Sequence, residues 1–446
     1  MQLPILLLES LEGTCGFDKD LFLQRHQDEE SLTSIRINPS KKATLAFDTT
    51  PVPWSQYGYY LKERPSFTFD PLFHAGCYYV QEASSMLLEQ AFQQLMNVDR
   101  PVHALDLCAA PGGKTTHLQS LLPEGSLLVA NEVIRTRVQI LRDNCIRWGA
   151  SNVVVTNNDP EHFRRLPDFF DWVTVDAPCS GSGLFRKDPS AIQEWSVSSV
   201  KLCSERQQRI LLAAWETLKP GGILFYSTCS YSPAENEQIV QWMVKEQGAI
   251  IRPITLDSSW GVTVSSEGYR CWPNQVKGEG FYFCCLQKSE RPSELLTRSR
   301  RTGGEKITSK EKERLRPWAN LDHHAIFSVE QTLFAIPSAL MDDFLNLKEK
   351  LYVVYAGVRL GTWKHDKFVP DHALSQSLLL SKTVPVISLS ASAAIHFLQR
   401  KEFLLDESSK GWQVVCYDGQ PLGWINVLAG RINNYYPKEL RILKDS

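Results

Sequence analysis

Two cysteines lie in short motifs that each follow an apolar run: Cys179 in VDAPCSGSG and Cys229 in FYSTCSYSP. The runs Phe170 to Val175 and Ile223 to Tyr226 read as buried parallel strands, each broken by residues that turn the chain. Ligands of open parallel sheets bind beyond the carboxyl ends of the strands. Two thiols delivered there by neighbouring strands point to chemistry. An isolated cysteine is more often a small packed hydrophobe. That reading is kept for Cys108, Cys145, Cys203, Cys284, Cys285 and Cys416, which have no such context.

A pair of thiols suits one demanding reaction. Carbon 5 of cytosine is a poor nucleophile, and a thiolate that adds at carbon 6 generates an enamine able to attack a sulfonium methyl. An unperturbed thiol, with a pKa of about 8.5, is only a few per cent ionised at neutral pH, so its surroundings should favour the anion. Asp176, three residues before Cys179, is placed to hold the base through ring nitrogen 3 or the amino group. Donation to nitrogen 3 would require a protonated carboxyl in a dry pocket. After methyl transfer the proton on carbon 5 must leave and the sulfur–carbon bond must break. A second thiol can assist that release.

The methyl donor needs its own site. In LDLCAAPGGKTTHL (105–118), Gly112 and Gly113 let the backbone pass close to a ligand at a helix start, and Asp106 lies just inside the strand. Gly113-Lys114-Thr115 satisfies the end of a nucleotide-triphosphate loop, but Cys108 stands where its first glycine belongs. The nicotinamide fingerprint is absent. S-adenosylmethionine fits better: Glu132 follows the second strand, where ribose hydroxyls are held, and Asp159 follows the third, where adenine is met.

The elements that must position these groups alternate. Strands at 103–108, 126–133 and 153–158, and two more ending at Asp176 and Tyr226, are separated by helical stretches, of which 198–218 is the longest. This predicts an α/β, Rossmann-like, doubly wound parallel sheet, with 249–254 and 280–288 closing it as a pair. From Gly76 the spacing becomes helical. Gln81, Glu82, Ser84 and Ser85 at that start either line a cleft or cap the helix.

The chain is expected to divide into a small α/β accessory domain (1–75), a catalytic domain (76–288), a basic linker (289–316), an intermediate domain (317–379) and a β-rich carboxyl-terminal domain (380–446). The window Lys288 to Arg316 holds ten Lys or Arg against five Glu. The tail alternates apolar and polar residues around Asp418-Gly419, a hairpin signal. Such modules often bind RNA by shape and stacking.

With 446 residues, 43% hydrophobic and 22% charged, and a formal charge of −2, the composition is that of an ordinary soluble protein. No run approaches the roughly 18 apolar residues of a membrane span, and the opening lacks the basic leader of a signal peptide. Eleven cysteines without paired CxxC spacings fit neither a disulfide framework nor a zinc site. No membrane, no metal and a cytoplasmic location are expected.

LDLCAAPGGKTTHL, DAPCSGSGLFRKDP and STCSYSPAENE resemble the signature motifs of the Nop/Sun family of RNA cytosine-5 methyltransferases, and SIRINP and YYVQEASSM resemble its upstream segments. The resemblance covers roughly residues 30 to 288. It implies that Cys229 is the nucleophile and that Cys179 assists product release. It also implies that S-adenosylmethionine is held by the loop Ala109, Ala110, Pro111, Gly112, Gly113 and Lys114, by Glu132, and by Asp159 and Asp176. Arg137 matches a family arginine that helps shape the pocket. The carboxyl-terminal part is similar to the PUA-like module of the bacterial ribosomal-RNA branch, which implies small-subunit ribosomal RNA or the 30S subunit as partner. The target base would have to leave any stack to reach the thiols. The alternatives are a transfer-RNA cytosine-5 methyltransferase, a methyltransferase acting on an exocyclic amine or a protein side chain, and a non-catalytic RNA-binding assembly factor.

Overall fold

A computed structural model describes residues 2–28, 32–290, 309–403, 405, 410–429 and 431–444. Most of the expected basic linker, 291–308, lies outside the described residues.

The centre is a ten-stranded sheet. In chain order its main elements are β1 (His103–Asp106), α1 (Gly113–Leu121), β2 (Leu127–Asn131), α2 (Arg135–Trp148), β3 (Val153–Thr156), β4 (Phe170–Asp176), α3 (Val197–Thr217), β5 (Leu218–Thr228), α4 (Glu237–Gln247) and β6 (Phe281–Gln287). Their order across the sheet is β6-β5-β4-β1-β2-β3. All neighbours are parallel except β6, which runs antiparallel to β5. This is the doubly wound α/β sheet that the alternating pattern predicts, and Ile250–Ile251 pairs with β6 as expected. Parallel strands covered on both faces must be apolar throughout. Val129, Val154, Val173 and Leu224 pack with Ile210 and Leu211 of α3 and Ile239 of α4 on one face, while Ala130, Val155 and Phe225 pack with Leu118, Val138 and Leu141 on the other.

Thr33–Ile37, the extended SIRINP segment, lies in a four-stranded sheet with Thr49–Pro51, Gly58–Leu61 and Tyr78–Val80. The segment from Gly76 therefore begins as a strand rather than a helix. Tyr78–Val80 pairs with Ile35–Ile37, and the chain becomes α-helical only over Leu88–Leu95, after a 3-10 turn at Ser84–Leu87. Pairing of the strand and burial of Tyr78 outweigh the local period. Glu82 does cap this start: its carboxylate accepts from the amides of Ser84 and Ser85, and from that of Glu279.

Beyond the linker, His324–Val329, Thr332–Pro337, Val358–Lys364 and Lys367–Pro370 form a third sheet, while Val353–Ala356 joins the central sheet antiparallel to β3. Val386–Ser388, Gly411–Tyr417, Gln420–Leu428 and Arg431–Asn434 form the fourth. Among the described residues no helix is long and apolar enough to cross a membrane.

Candidate active site

β4 and β5 are adjacent and parallel, with Asp176 opposite Ser227, so the loops leaving their carboxyl ends meet. Cys179 and Cys229 are brought together there, their sulfurs 3.1 Å apart as free thiols. The chain permits this approach because residue 183 is glycine. A β-carbon at Gly183 would lie 2.7 Å from the Cys229 carbonyl oxygen, and the Gly183 amide instead donates to that oxygen. The Ser182 hydroxyl accepts from the Tyr231 amide, a second tie between the loops. The Cys179 thiol is pushed well up by its hydrogen bond with Cys229, by burial, and by the nearby charges. Either sulfur can be the donor in this contact.

Asp176 is the last residue of β4, three positions before Cys179. Its Oδ1 accepts from the Ser227 hydroxyl at 2.7 Å, and its Oδ2 lies 2.8 Å from Lys114 Nζ. Its side chain is 38% exposed, so the dry pocket expected for a protonated carboxyl is not present. An ion-paired carboxylate accepts hydrogen bonds, and Lys114 is the proton donor beside it. Lys114 also ties the end of β4 to the glycine turn, since it pairs with Asp176 and follows Gly113 directly.

That turn has the features of a ligand cradle. Gly112 has φ +116°, a conformation costly for any side chain. The Pro111 carbonyl is held by Asn144 and the Ala110 carbonyl by Arg137 Nη2 at 2.6 Å. Inside the turn Asp106 is fully buried; its Oδ2 accepts from Thr115 at 2.6 Å, while its Oδ1 has no partner. Burial, the largest influence, pushes its carboxyl up to about 7. A buried carboxylate oxygen without a donor is costly, and a cationic ligand group would satisfy it.

Glu132, also buried, accepts from the Ile134 amide at 2.8 Å and lies 3.7 Å from Arg137. Asp159 caps the turn that follows it and faces Arg209, 3.3 Å from either oxygen. Asn157 ties the two segments, its amide donating to the carbonyls of Glu132 and Val133. The residues singled out from the sequence thus lie on segments at one end of the sheet.

One residue was not singled out. Glu235, with no exposed surface, accepts from the Ser180 amide (2.7 Å), the Ser180 hydroxyl (2.6 Å), the Ser230 hydroxyl (2.6 Å) and Gln207 Nε2 (3.4 Å). Its neighbour Asn236 grips both flanks of Cys229, accepting from Thr228 and donating to the Ser230 carbonyl. In the sequence Glu235 stands in the STCSYSPAENE motif, but as part of the polar run Glu235-Asn236-Glu237 at a helix start, where capping is the ordinary explanation.

A family model described as "16S rRNA methyltransferase RsmB/F" matches residues 93–287, one described as "Methyltransferase RsmF PUA domain" matches 384–442, and one described as "N-terminal domain of 16S rRNA methyltransferase RsmF" matches 3–83. Among curated proteins, the ribosomal RNA small subunit methyltransferase F of Aeromonas salmonicida is 30% identical over 444 residues, covering 91% of this chain and 90% of the relative. That of Shewanella loihica is 30% identical over 438 residues, covering 91% and 88%. Among solved structures, a methyltransferase homolog from Pyrococcus horikoshii is 29% identical with a TM-score of 0.51, covering 64% of this chain and all of that one. NSun6 from the same organism, solved with SFG, shares the fold at 19% identity and a TM-score of 0.55, covering 65% and 99%.

Proposed function

This chain belongs to the RsmB/F family of 16S rRNA methyltransferases, and from that membership we propose that it forms 5-methylcytosine in small-subunit ribosomal RNA. It is an S-adenosylmethionine-dependent rRNA methyltransferase. The cytosine-5 specificity, the roles of single residues, the 30S subunit as the form of the substrate and a cytoplasmic location are our reading.

The unpartnered Asp106 oxygen and the glycine turn fit the amino-acid part of the cofactor, and Glu132 and Asp159 fit its ribose and adenine. When bound, S-adenosylmethionine supplies an electrophilic methyl group on a sulfonium. The rest is done by the chain. Asp176 accepts from the exocyclic amino group of the target cytosine, and Lys114 offers a proton to its ring nitrogen. Cys229, reacting as a thiolate, adds to carbon 6, and the electron pair released into the ring makes carbon 5 nucleophilic. The carbon 5 proton then passes to water, the ring nitrogen returns its proton to Lys114, and Cys229 leaves as a thiolate that accepts a hydrogen bond from the Cys179 thiol, which is how Cys179 assists release. Arg137 holds the Ala109 to Lys114 loop through the Ala110 carbonyl.

The observation that carries this reading is the 3.1 Å contact of the two sulfurs, on the loops that leave the paired strands β4 and β5. Its test is a pair of variants. Cys229→Ser should lose methyl transfer to small-subunit RNA by a factor of at least about 10³. Cys179→Ser should accumulate an RNA–protein adduct that survives denaturing electrophoresis. Bisulfite sequencing should report one protected cytosine. Full turnover by Cys229→Ser, or label on a purine amine, would overturn it.

A further inference from the structure

We propose that Glu235 is the positioning residue that sets the spacing of the two catalytic thiols, an inference that rests on the thiol roles given above. Ser180 and Ser230 are the residues directly after Cys179 and Cys229, and one carboxylate holds both. Oε2 accepts from the two serine hydroxyls, and Oε1 from the Ser180 amide and Gln207. Gln207 reaches back to the first loop as well, donating to the Pro178 carbonyl at 3.0 Å. Besides the Gly183 and Ser182 ties, the loops that carry the sulfurs are therefore joined directly behind both cysteines by one side chain that has no exposed surface.

The carboxylate does this as an acceptor at both oxygens. An ionised carboxylate offers about four lone-pair sites and no proton, which matches the four donors around Glu235. Burial opposes the charge and raises the carboxyl, while bonds from Ser180, Ser230 and Gln207 pull it down. A glutamine of the same shape carries no charge, and its NH2 either obliges both serine hydroxyls to turn and accept or confronts the Ser180 amide and Gln207 with another donor. Aspartate is one methylene shorter and cannot span both loops from the same backbone.

The test uses the full-length protein and reads the thiol pair apart from catalysis. Diamide oxidises neighbouring thiols: two S–H groups lose two electrons and two protons to its nitrogen–nitrogen double bond, giving a disulfide and a hydrazine. The rate of Cys179–Cys229 disulfide formation, followed by peptide mass spectrometry, reports how well the two sulfurs are held together. In Glu235→Gln we expect that rate to fall roughly 10-fold and methyl transfer about 100-fold, the loss typical of a misplacement near 1 Å. Affinity for S-adenosylmethionine should stay within about twofold, as a general loosening of the fold would not allow.

A wild-type oxidation rate in Glu235→Gln, or unchanged turnover, would overturn the proposal. Should that variant not fold, Ser180→Ala with Ser230→Ala removes the two hydroxyl donors and leaves the carboxylate. The same slowing of oxidation is expected there, and its absence is equally fatal. Failure of the functional reading is distinguishable, because it appears as methyl transfer by Cys229→Ser and leaves the oxidation rates untouched.

Discussion

At Asp106 burial and hydrogen bonding pull in opposite directions, and burial wins. The carboxyl is raised from its ordinary 3.8 to about 7, although Thr115 and Lys114 both favour the ionised form. The folded chain therefore holds this proton more tightly than the unfolded chain does. Its contribution to stability is complete below about pH 4 and is lost as the pH rises through about 7, at up to roughly 1.4 kcal/mol per unit inside that window. The ligand-free protein should melt at a lower temperature at pH 8 than at pH 5, and Asp106→Asn should flatten the difference. Calorimetric scans of both proteins across that range check this. An identical pH slope in the two would mean that the carboxyl is solvated. The same burial leaves Oδ1 in need of a donor, so a cationic ligand should recover part of the lost stability at high pH.

At the scale of elements, the Asp418-Gly419 hairpin shows how much a short signal can specify. Asp418 has φ +47° and Gly419 φ +70°, the two positive values of a type I′ turn, and Tyr417 pairs with Gln420 across it. A β-carbon at Gly419 would touch nothing within 4 Å, so Gly419→Val costs backbone strain alone, about 1–2 kcal/mol. Amide exchange across 411–428 should quicken by roughly an order of magnitude, with no change in S-adenosylmethionine affinity. The βα series was legible for a related reason: strands buried on both faces are near-continuous apolar runs, and each is followed by a helix period. Tyr78–Val80 was not, because a three-residue strand carries too little period to compete with the helix that follows it. Nor was the destination of Val353–Ala356, since alternation marks a strand without naming its partner. The site divides in the same way. The cysteines, Asp176 and the glycine turn stand at strand ends where chemistry is expected, whereas Glu235 acts by reaching across two loops, a relation that exists only in three dimensions.

Over the whole molecule, the amino- and carboxyl-terminal parts share one core. Ile35, Leu72 and Tyr78 of the first pack with Phe397, Leu398, Val415 and Leu422 of the last. The carboxyl-terminal region is also fastened to the catalytic sheet. Val353–Ala356 extends the edge at β3, the Leu378 amide donates to the Gly149 carbonyl, and Gln376 bridges on to Pro421. A module that only gripped RNA could be removed and leave the catalytic sheet as stable as before. One that supplies half of a core cannot, because each large apolar side chain uncovered forfeits roughly 1.5–3 kcal/mol. Ending the chain after residue 383 should therefore lower the melting temperature by more than about 5 °C and expose the amino-terminal sheet to self-association, in addition to weakening RNA binding. Full-length protein should accordingly unfold in one cooperative transition. Two separated transitions, the later one unmoved by truncation, would mean that the sheets fold independently and that the reach from the RNA-binding face to the thiols is set by a linker instead of by shared packing.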